Sequence, residues 1–338
     1  MTNNLPLSRP ATIYDVAERA GVSHITVSRV VNNKQNVSPE TRQRVQQAME
    51  ELGYTPNPIA QSLQARRTRT IELITTNIHG NEPTAIAEIG TIAAEHGFPV
   101  SIVPTTLADL PAVLAAIPNR MVAGTLLYAQ DVTLDYAAVA RMVKRHLLVQ
   151  MGGKTRSSLA SVLYDQGLAT ENAIQHLIDL GHRHIAFLGG QQQLLDGTDR
   201  YHAYVHALTR NRLPSGPVAM GDFGAPSGEE AMRRILEMGE PFTAVFASAD
   251  AMAISALHVL RQAGLRVPDD VSVVGYNDSE LAPYVVPPLT TIVNDSRALA
   301  RMTTEYLFEF IDRPDTPRQQ RIITPDLIVR GSTAPPPG

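Results

Sequence analysis

From Thr12 onward, apolar residues fall at helical spacing. Ile13, Val16, Ala17 and Ala20 share one face, with Thr12 placed to cap the first turn. Gly21 supplies the backbone freedom of a tight turn. Ser23 can then cap a second helix over residues 24–31, on which Val27, Val30 and Val31 point inward. His24, Ile25, Ser28, Arg29 and Asn32 are left on the outward face. A third helix is predicted from Pro39 to Leu52. Residues 57–64, NPIAQSLQ, predict a short fourth one, with Pro58 near its first turn, where a missing N–H costs little. Two helices joined by a glycine turn, the second with a polar outer face, form the helix-turn-helix arrangement, whose second helix enters the major groove of DNA.

From Thr70 the pattern changes to short apolar runs alternating with helical segments. Residues 71–75, 100–105, 124–129 and 147–151 read as strands, with helices near 84–96, 108–117 and 134–145. The alternation then starts again. Strands are predicted at 184–190, 217–223, 244–250 and 272–278, and helices near 167–180, 199–211, 227–238 and 251–263. Two such series predict two lobes, each a parallel doubly wound sheet, with ligand bound in the cleft at the carboxyl ends of the strands. Residues 287–295, a helix near 296–312 and residues 320–333 are expected to cross back between the lobes.

Composition narrows the function classes. The 338 residues are 43% hydrophobic and include no cysteine, so disulfide and thiol chemistry are excluded. No window approaches a membrane span, and the first twelve residues lack the apolar core of a signal peptide, so the cytoplasm is expected. The net charge of −4 is unevenly spread: residues 1–69 hold nine Lys/Arg against five Asp/Glu, and the remainder 20 against 28. A basic head on an acidic body puts polyanion affinity at one end.

The segments IYDVAERAGVSHITVSRVVN and VSPETRQRVQQAMEELGYTPNPIAQSL resemble the DNA-binding headpiece of the LacI/GalR family without a gap. The body resembles the periplasmic-binding-protein-like core of the same family to about residue 333. The resemblance implies an all-α helix-turn-helix headpiece at 1–56, ordered from about residue 11, a hinge helix and linker at 57–69, and a two-lobed α/β core at 70–333. Residues 334–338 are expected to form a disordered tail. Phosphate contacts are expected from Tyr14, Ser23, Thr26, Ser38 and Thr41, at or near helix N-termini. Base contacts are expected from His24, Ile25 and Arg29, with Ser28 and Asn32 on the same face. Arg29 can bond a guanine edge bidentately, and Ile25 can touch a thymine methyl. Eight residues are too few for a stable free helix, so the 57–64 segment is expected to fold only when two copies pair on DNA. By resemblance Leu63 is a wedge in the minor groove, Ile59 and Ala60 lie on the helix–helix contact, and Asn57 opens the helix.

In the body, the resemblance places effector-binding residues at strand ends. Asp165-Gln166 stands where relatives carry Asp-Asn, Arg200 matches an arginine that clamps ligand oxygens, and Phe223 matches a stacking aromatic. Asn277 corresponds to a polar residue that receives sugar hydroxyls, and Thr76 and Asn77 can close the cleft from the other lobe. Asp250 joins this set, although Asp165, Asn77 and Asp250 can equally cap the helices that follow them. Ala249 and Ser296 depart from the family pattern, each removing one contact. Polar amides with a single arginine point to a polyhydroxylated small molecule.

Enzyme motifs fail on inspection. MGGKT at 151–155 imitates a phosphate-binding loop, which requires glycine where Leu148 stands. His176, His182 and His184 lack an acidic ligand at matching spacing, and no GxSxG is present. The expectation is therefore a homodimeric, effector-responsive repressor on double-stranded operator DNA, with no cofactor, no metal and no membrane partner. Co-repression by a purine-like ligand, and a sugar-binding protein without DNA function, are the alternatives.

Overall fold

The computed structural model describes residues 11–31, 36–54, 69–76, 82–129, 134–143, 146–154 and 157–337. Asn32, Asn57, Ile59, Ala60, Leu63 and Asn77, all named above, lie outside the described residues. The chain divides into two compact units between Arg69 and Thr70.

The N-terminal unit contains α1 (Ile13–Ala20), α2 (His24–Val31) and α3 (Pro39–Glu51). A capping box starts α1: the Thr12 side chain accepts from the Asp15 N–H, and Asp15 accepts from the Thr12 N–H at 2.8 Å. Gly21 ends α1 in the left-handed region at φ 65°, as the sequence requires. Ser23 and Ser38 cap α2 and α3 by accepting from the Thr26 and Thr41 N–H groups. Val16, Ala17, Ala20, Val27, Val30, Val45 and Ala48 form one buried cluster beneath these helices.

The second unit contains two six-stranded sheets. The first has the order β11-β5-β4-β3-β1-β2, with β1 Ile71–Thr75, β2 Val100–Pro104, β3 Gly124–Tyr128, β4 Leu148–Met151, β5 Ser161–Tyr164 and β11 Gln320–Ile323. The second has the order β12-β10-β9-β8-β6-β7, with β6 Ile185–Gly189, β7 Val218–Met220, β8 Ala244–Ala247, β9 Ser272–Asn277, β10 Thr290–Val293 and β12 Leu327–Ile328. Every pairing is parallel except β10 with β12. Uninterrupted apolar runs such as IAFLG at 185–189 are buried at every position, which is how a parallel strand covered on both faces reads.

Helices α4 (Glu82–Glu95), α5 (Leu110–Ala116) and α6 (Tyr136–Met142) belong to the first lobe. Helices α7 (Gln166–Asp179), α8 (Leu195–Arg210), α9 (Ala225–Met238) and α10 (Asp250–Gln262) belong to the second. The long α11 (Ser296–Asp312) returns to the first lobe, where Ala300, Leu307 and Phe310 join Ile71, Ile89 and Val149 in one core. The chain thus passes between lobes three times, at 164–166, 293–296 and 323–327, in line with the expected return crossing of the C-terminal part.

Some boundaries differ from the sequence reading. Ser161–Tyr164 is a strand that the periodicity did not announce. The strand expected at 217–223 is only three residues long, because Phe223 turns the chain with a φ of 74°. The helix expected from 199 begins at Leu195, so Asp196 is helical. The tail is also corrected: Ala334 is held at both backbone groups, its N–H donating to Ser272 Oγ at 3.0 Å and its carbonyl meeting His182 Nε2 at 2.9 Å. His182 also contacts Thr243 Oγ1 through Nδ1 at 2.8 Å. That histidine is therefore a buried cross-link, and no cluster among the described residues is arranged to hold a metal ion.

Candidate nucleic-acid interface and effector cleft

On the headpiece, burial of Val27 and Val30 fixes which side of α2 faces out. Ser23, His24, Ile25 and Arg29 are exposed, and Thr26 and Ser28 are half-buried. Ile25 is 52% exposed and Tyr14 65% exposed, unusual for apolar side chains on so small a core. The Tyr14 and His24 rings lie 5.1 Å apart, which joins α1 to the reading face. The N-termini of α2 and α3 carry matching hydroxyl pairs, Ser23 with Thr26 and Ser38 with Thr41, each at 3.0 Å. Such ends present N–H groups and hydroxyls suited to phosphate oxygens. Arg19 is tied to Glu51 on α3, which braces the helices.

In the body, the Arg200 guanidinium is the hub of the second lobe's half of the cleft. It is 2% exposed. Nε and Nη2 both donate to Gln166 Oε1, at 3.0 and 2.8 Å. Nη2 also reaches Asp196 at 3.2 Å, and Nη1 donates to the Ser248 carbonyl. The guanidinium carbon sits 3.6 Å from the Tyr276 ring centroid and 5.7 Å from that of Phe223. The expected clamp therefore has most of its fork engaged by protein, and it fixes four elements together. Burial raises the Asp196 carboxyl above the ordinary range, against the pull of Arg200.

Asn277 stands at the end of β9 with φ 115°, and its Oδ1 accepts from Asn294 Nδ2 at 3.1 Å. It therefore links β9 to the second crossover. Thr76 is on the opposite lobe, where its N–H donates to the Tyr128 carbonyl. A cavity between the lobes is lined by Tyr128, Gly153, Tyr164, Gln166, Asp199 and Asn294, among others.

Asp250 is corrected. It is 1% exposed, and its carboxylate accepts from the Thr291 hydroxyl and from the Ser279 N–H at 2.6 Å. This internal brace between α10 and β10 has no surface for a ligand, and burial raises its carboxyl above the ordinary range. Residues absent from the sequence reading complete the site: Tyr276 beneath Arg200, Asn294 on a crossover, and Asp196 and Asp199 at the start of α8. Asp196 stands four residues before Arg200, an i,i+4 spacing that would have disclosed the pair had the helix been started early enough.

The profile of bacterial regulatory proteins of the lacI family matches residues 12–57, and that of the periplasmic binding protein-like domain matches residues 174–333. The lactose operon repressor of Escherichia coli (strain K12) is 32% identical over 332 residues, covering 97% of this chain and 92% of that protein. The chain belongs to the lacI family. The regulator CelR of Thermobifida fusca is 33% identical, covering 96% of this chain and 98% of that protein. Among solved structures, the lac repressor dimer bound to operator and the anti-inducer ONPF matches this lacI-family chain with a TM-score of 0.83 at 31% identity, over 96% of this chain and 100% of that one. The complex of CelR with cellobiose matches with a TM-score of 0.68 at 31% identity, over 95% and 99%.

Proposed function

We propose that this chain is a ligand-responsive transcriptional repressor that binds a near-palindromic operator as a homodimer and is released by a small polyol effector. The observation that carries the reading is the outward face of α2. His24, Ile25 and Arg29 project from a helix whose other side is buried, and the N-termini of this helix and of α3 are dressed with hydroxyls. That face offers base-edge contacts flanked by phosphate contacts. The lactose operon repressor is named as a repressor and CelR as a transcriptional regulator, and two of the solved structures hold operator or cellobiose, which supports the same role here.

Homodimer formation is supported by Leu281, Tyr284 and Val286, which are 62, 81 and 90% exposed on one short segment. In the dimer, paired 57–64 segments insert Leu63 at the operator centre. The effector binds the inter-lobe cleft around Arg200, Gln166, Phe223 and Asn277, with Thr76 on the facing lobe. It shifts operator affinity only by as much as it prefers one lobe arrangement over the other. No catalytic step is part of the cycle, and its place is the cytoplasm. Random-site selection followed by gel shift tests the reading: sequence-selective binding that disappears when residues 1–64 are deleted is expected. Unselective binding would overturn it. Titrating sugars against that complex gives the sign, weakening for an inducer and strengthening for a co-repressor.

A further inference from the structure

Three passages of chain join the lobes, and the hydrogen bonds at each locate the bend to within a residue or two. In the first passage, the Asp165 N–H donates to the Ile323 carbonyl on the first lobe at 2.8 Å. The Asp165 carboxylate caps α7 on the second lobe, accepting from the Leu168 N–H at 2.9 Å. In the second passage, Asn294 is tied to the second lobe: its N–H donates to the Asn277 carbonyl at 3.4 Å, and its side chain to Asn277 Oδ1. Its neighbour Asp295 belongs to the first lobe, where its carboxylate caps α11 through the Arg297 and Ala298 N–H groups. In the third passage, Asp165 holds the Ile323 carbonyl, and the Val293 N–H holds the Asp326 carbonyl at 2.8 Å. Thr324 and Pro325 lie between those anchors. Neighbouring residues fixed to opposite lobes must absorb any rotation between the lobes in the few dihedral angles that separate them. The bend therefore runs through Asp165, the 294–295 link and residues 324–325.

One side chain fastens the first two passages to each other. Tyr164, the last residue of β5, donates its hydroxyl to the Asp295 carbonyl at 3.0 Å. The same carbonyl accepts from the Leu299 N–H and so begins α11. Burial, and after it the Asp295 charge, lift the pKa of that hydroxyl to about 12, so it remains a donor at neutral pH. Tyr164 is 7% exposed, and it lines the cavity between the lobes. A single residue thus forms part of the cavity wall and clamps the first-lobe ends of two passages.

We propose that Tyr164 is the positioning residue of the lobe pivot: its hydroxyl keeps the first and second passages in step, and a group settling in the cavity acts on the angle between the lobes through it. This role rests on the body being the effector-controlled part of a repressor. Without the bond, the second passage turns independently of the first, and the balance between lobe arrangements shifts even with no ligand present.

Tyr164→Phe removes the hydroxyl and keeps the ring. Tyr306→Phe is the control, because the Tyr306 hydroxyl lies in the same core and bonds only to residues 317 and 319, outside the passages, among the described residues. Both full-length variants are checked for folding by their melting curves. Gel shift of the unliganded proteins, on the operator selected by the parent, shows the affinity of Tyr164→Phe moved by about fivefold or more. Tyr306→Phe stays near the parent. The proposal is overturned if Tyr164→Phe moves by less than that factor, or if Tyr306→Phe moves as far. Should the parent select no operator, the repressor reading fails, and hydrogen exchange on the full chain still decides the clamp. Tyr164→Phe then speeds exchange at the Arg297, Ala298 and Leu299 amides, and Tyr306→Phe does not. Exchange there that is unchanged, or raised equally by the control, overturns the proposal.

Discussion

The carboxamide oxygen of Gln166 accepts two hydrogen bonds from Arg200, through Nε and Nη2. Gln166 is the first residue of α7, immediately after the first crossover, and Arg200 is inside α8. One oxygen thus holds the guanidinium flat against Tyr276. Gln166→Leu leaves two buried N–H groups without an acceptor. The core is expected to lose about 1–3 kcal/mol, read as a lower melting temperature, with effector affinity falling as well because Arg200 is no longer held in place.

On the headpiece, Arg29→Ala removes an exposed donor fork without disturbing the Val27 and Val30 contacts. Operator affinity should fall by about 1–3 kcal/mol, with discrimination relaxed at one base position. Selection with the variant and the parent side by side reads both effects. A uniform loss at every position, with a smaller salt slope, would instead mark Arg29 as a phosphate contact.

Tyr284 and Val286 are the two most exposed large apolar side chains among the described residues. Tyr284→Asp places a charge where the homodimer reading puts a dry contact. Sedimentation should show the variant shifted toward monomer, with unliganded melting little changed because the side chain has almost no intramolecular burial to lose. An unshifted dimer would place the interface elsewhere.

His182 and His176 are both held below the ordinary histidine range, chiefly by burial. A group with a lowered folded value binds more protons unfolded than folded just below pH 6.5, so stability falls as pH falls through that region. The raised carboxyls of Asp196, Asp199 and Asp250 act oppositely, above their unfolded values near 3.8. Comparison with His182→Asn isolates the histidine: its melting temperature lies below that of the parent at pH 8, and the gap narrows as pH drops from 7 toward 5.5. A gap independent of pH would show that folding leaves the His182 pKa where it is in the unfolded chain.

The headpiece was legible because its helices carry both a 3.6-residue apolar stripe and polar caps, so Thr12, Gly21, Ser23 and Ser38 each mark a boundary the structure places there or one residue away. The strands were legible as apolar runs between helical segments. Ser161–Tyr164 was missed because four residues give no room for a period. The early start of α8 was hidden by Gly197, which reads as a loop residue; the backbone of Gln191 lies so close that a side chain there would meet it. The site was legible only as identities. Arg200, Gln166 and Phe223 converge as expected, but local pattern does not say how much of a guanidinium the protein itself will occupy. Nor does it say that Asp250 faces inward to Thr291, a partner 41 positions away.

The threefold passage between lobes bears on how the molecule is made. The first sheet lacks β11 and the α11 cover until residue 323 has been synthesised, and the second lacks β12 until residue 328. Both lobes therefore wait for residues 323 and 328, whereas the three helices described in the N-terminal unit have all been made by residue 51. A nascent chain between residues 51 and 323 carries these three helices with neither sheet of the body complete behind them.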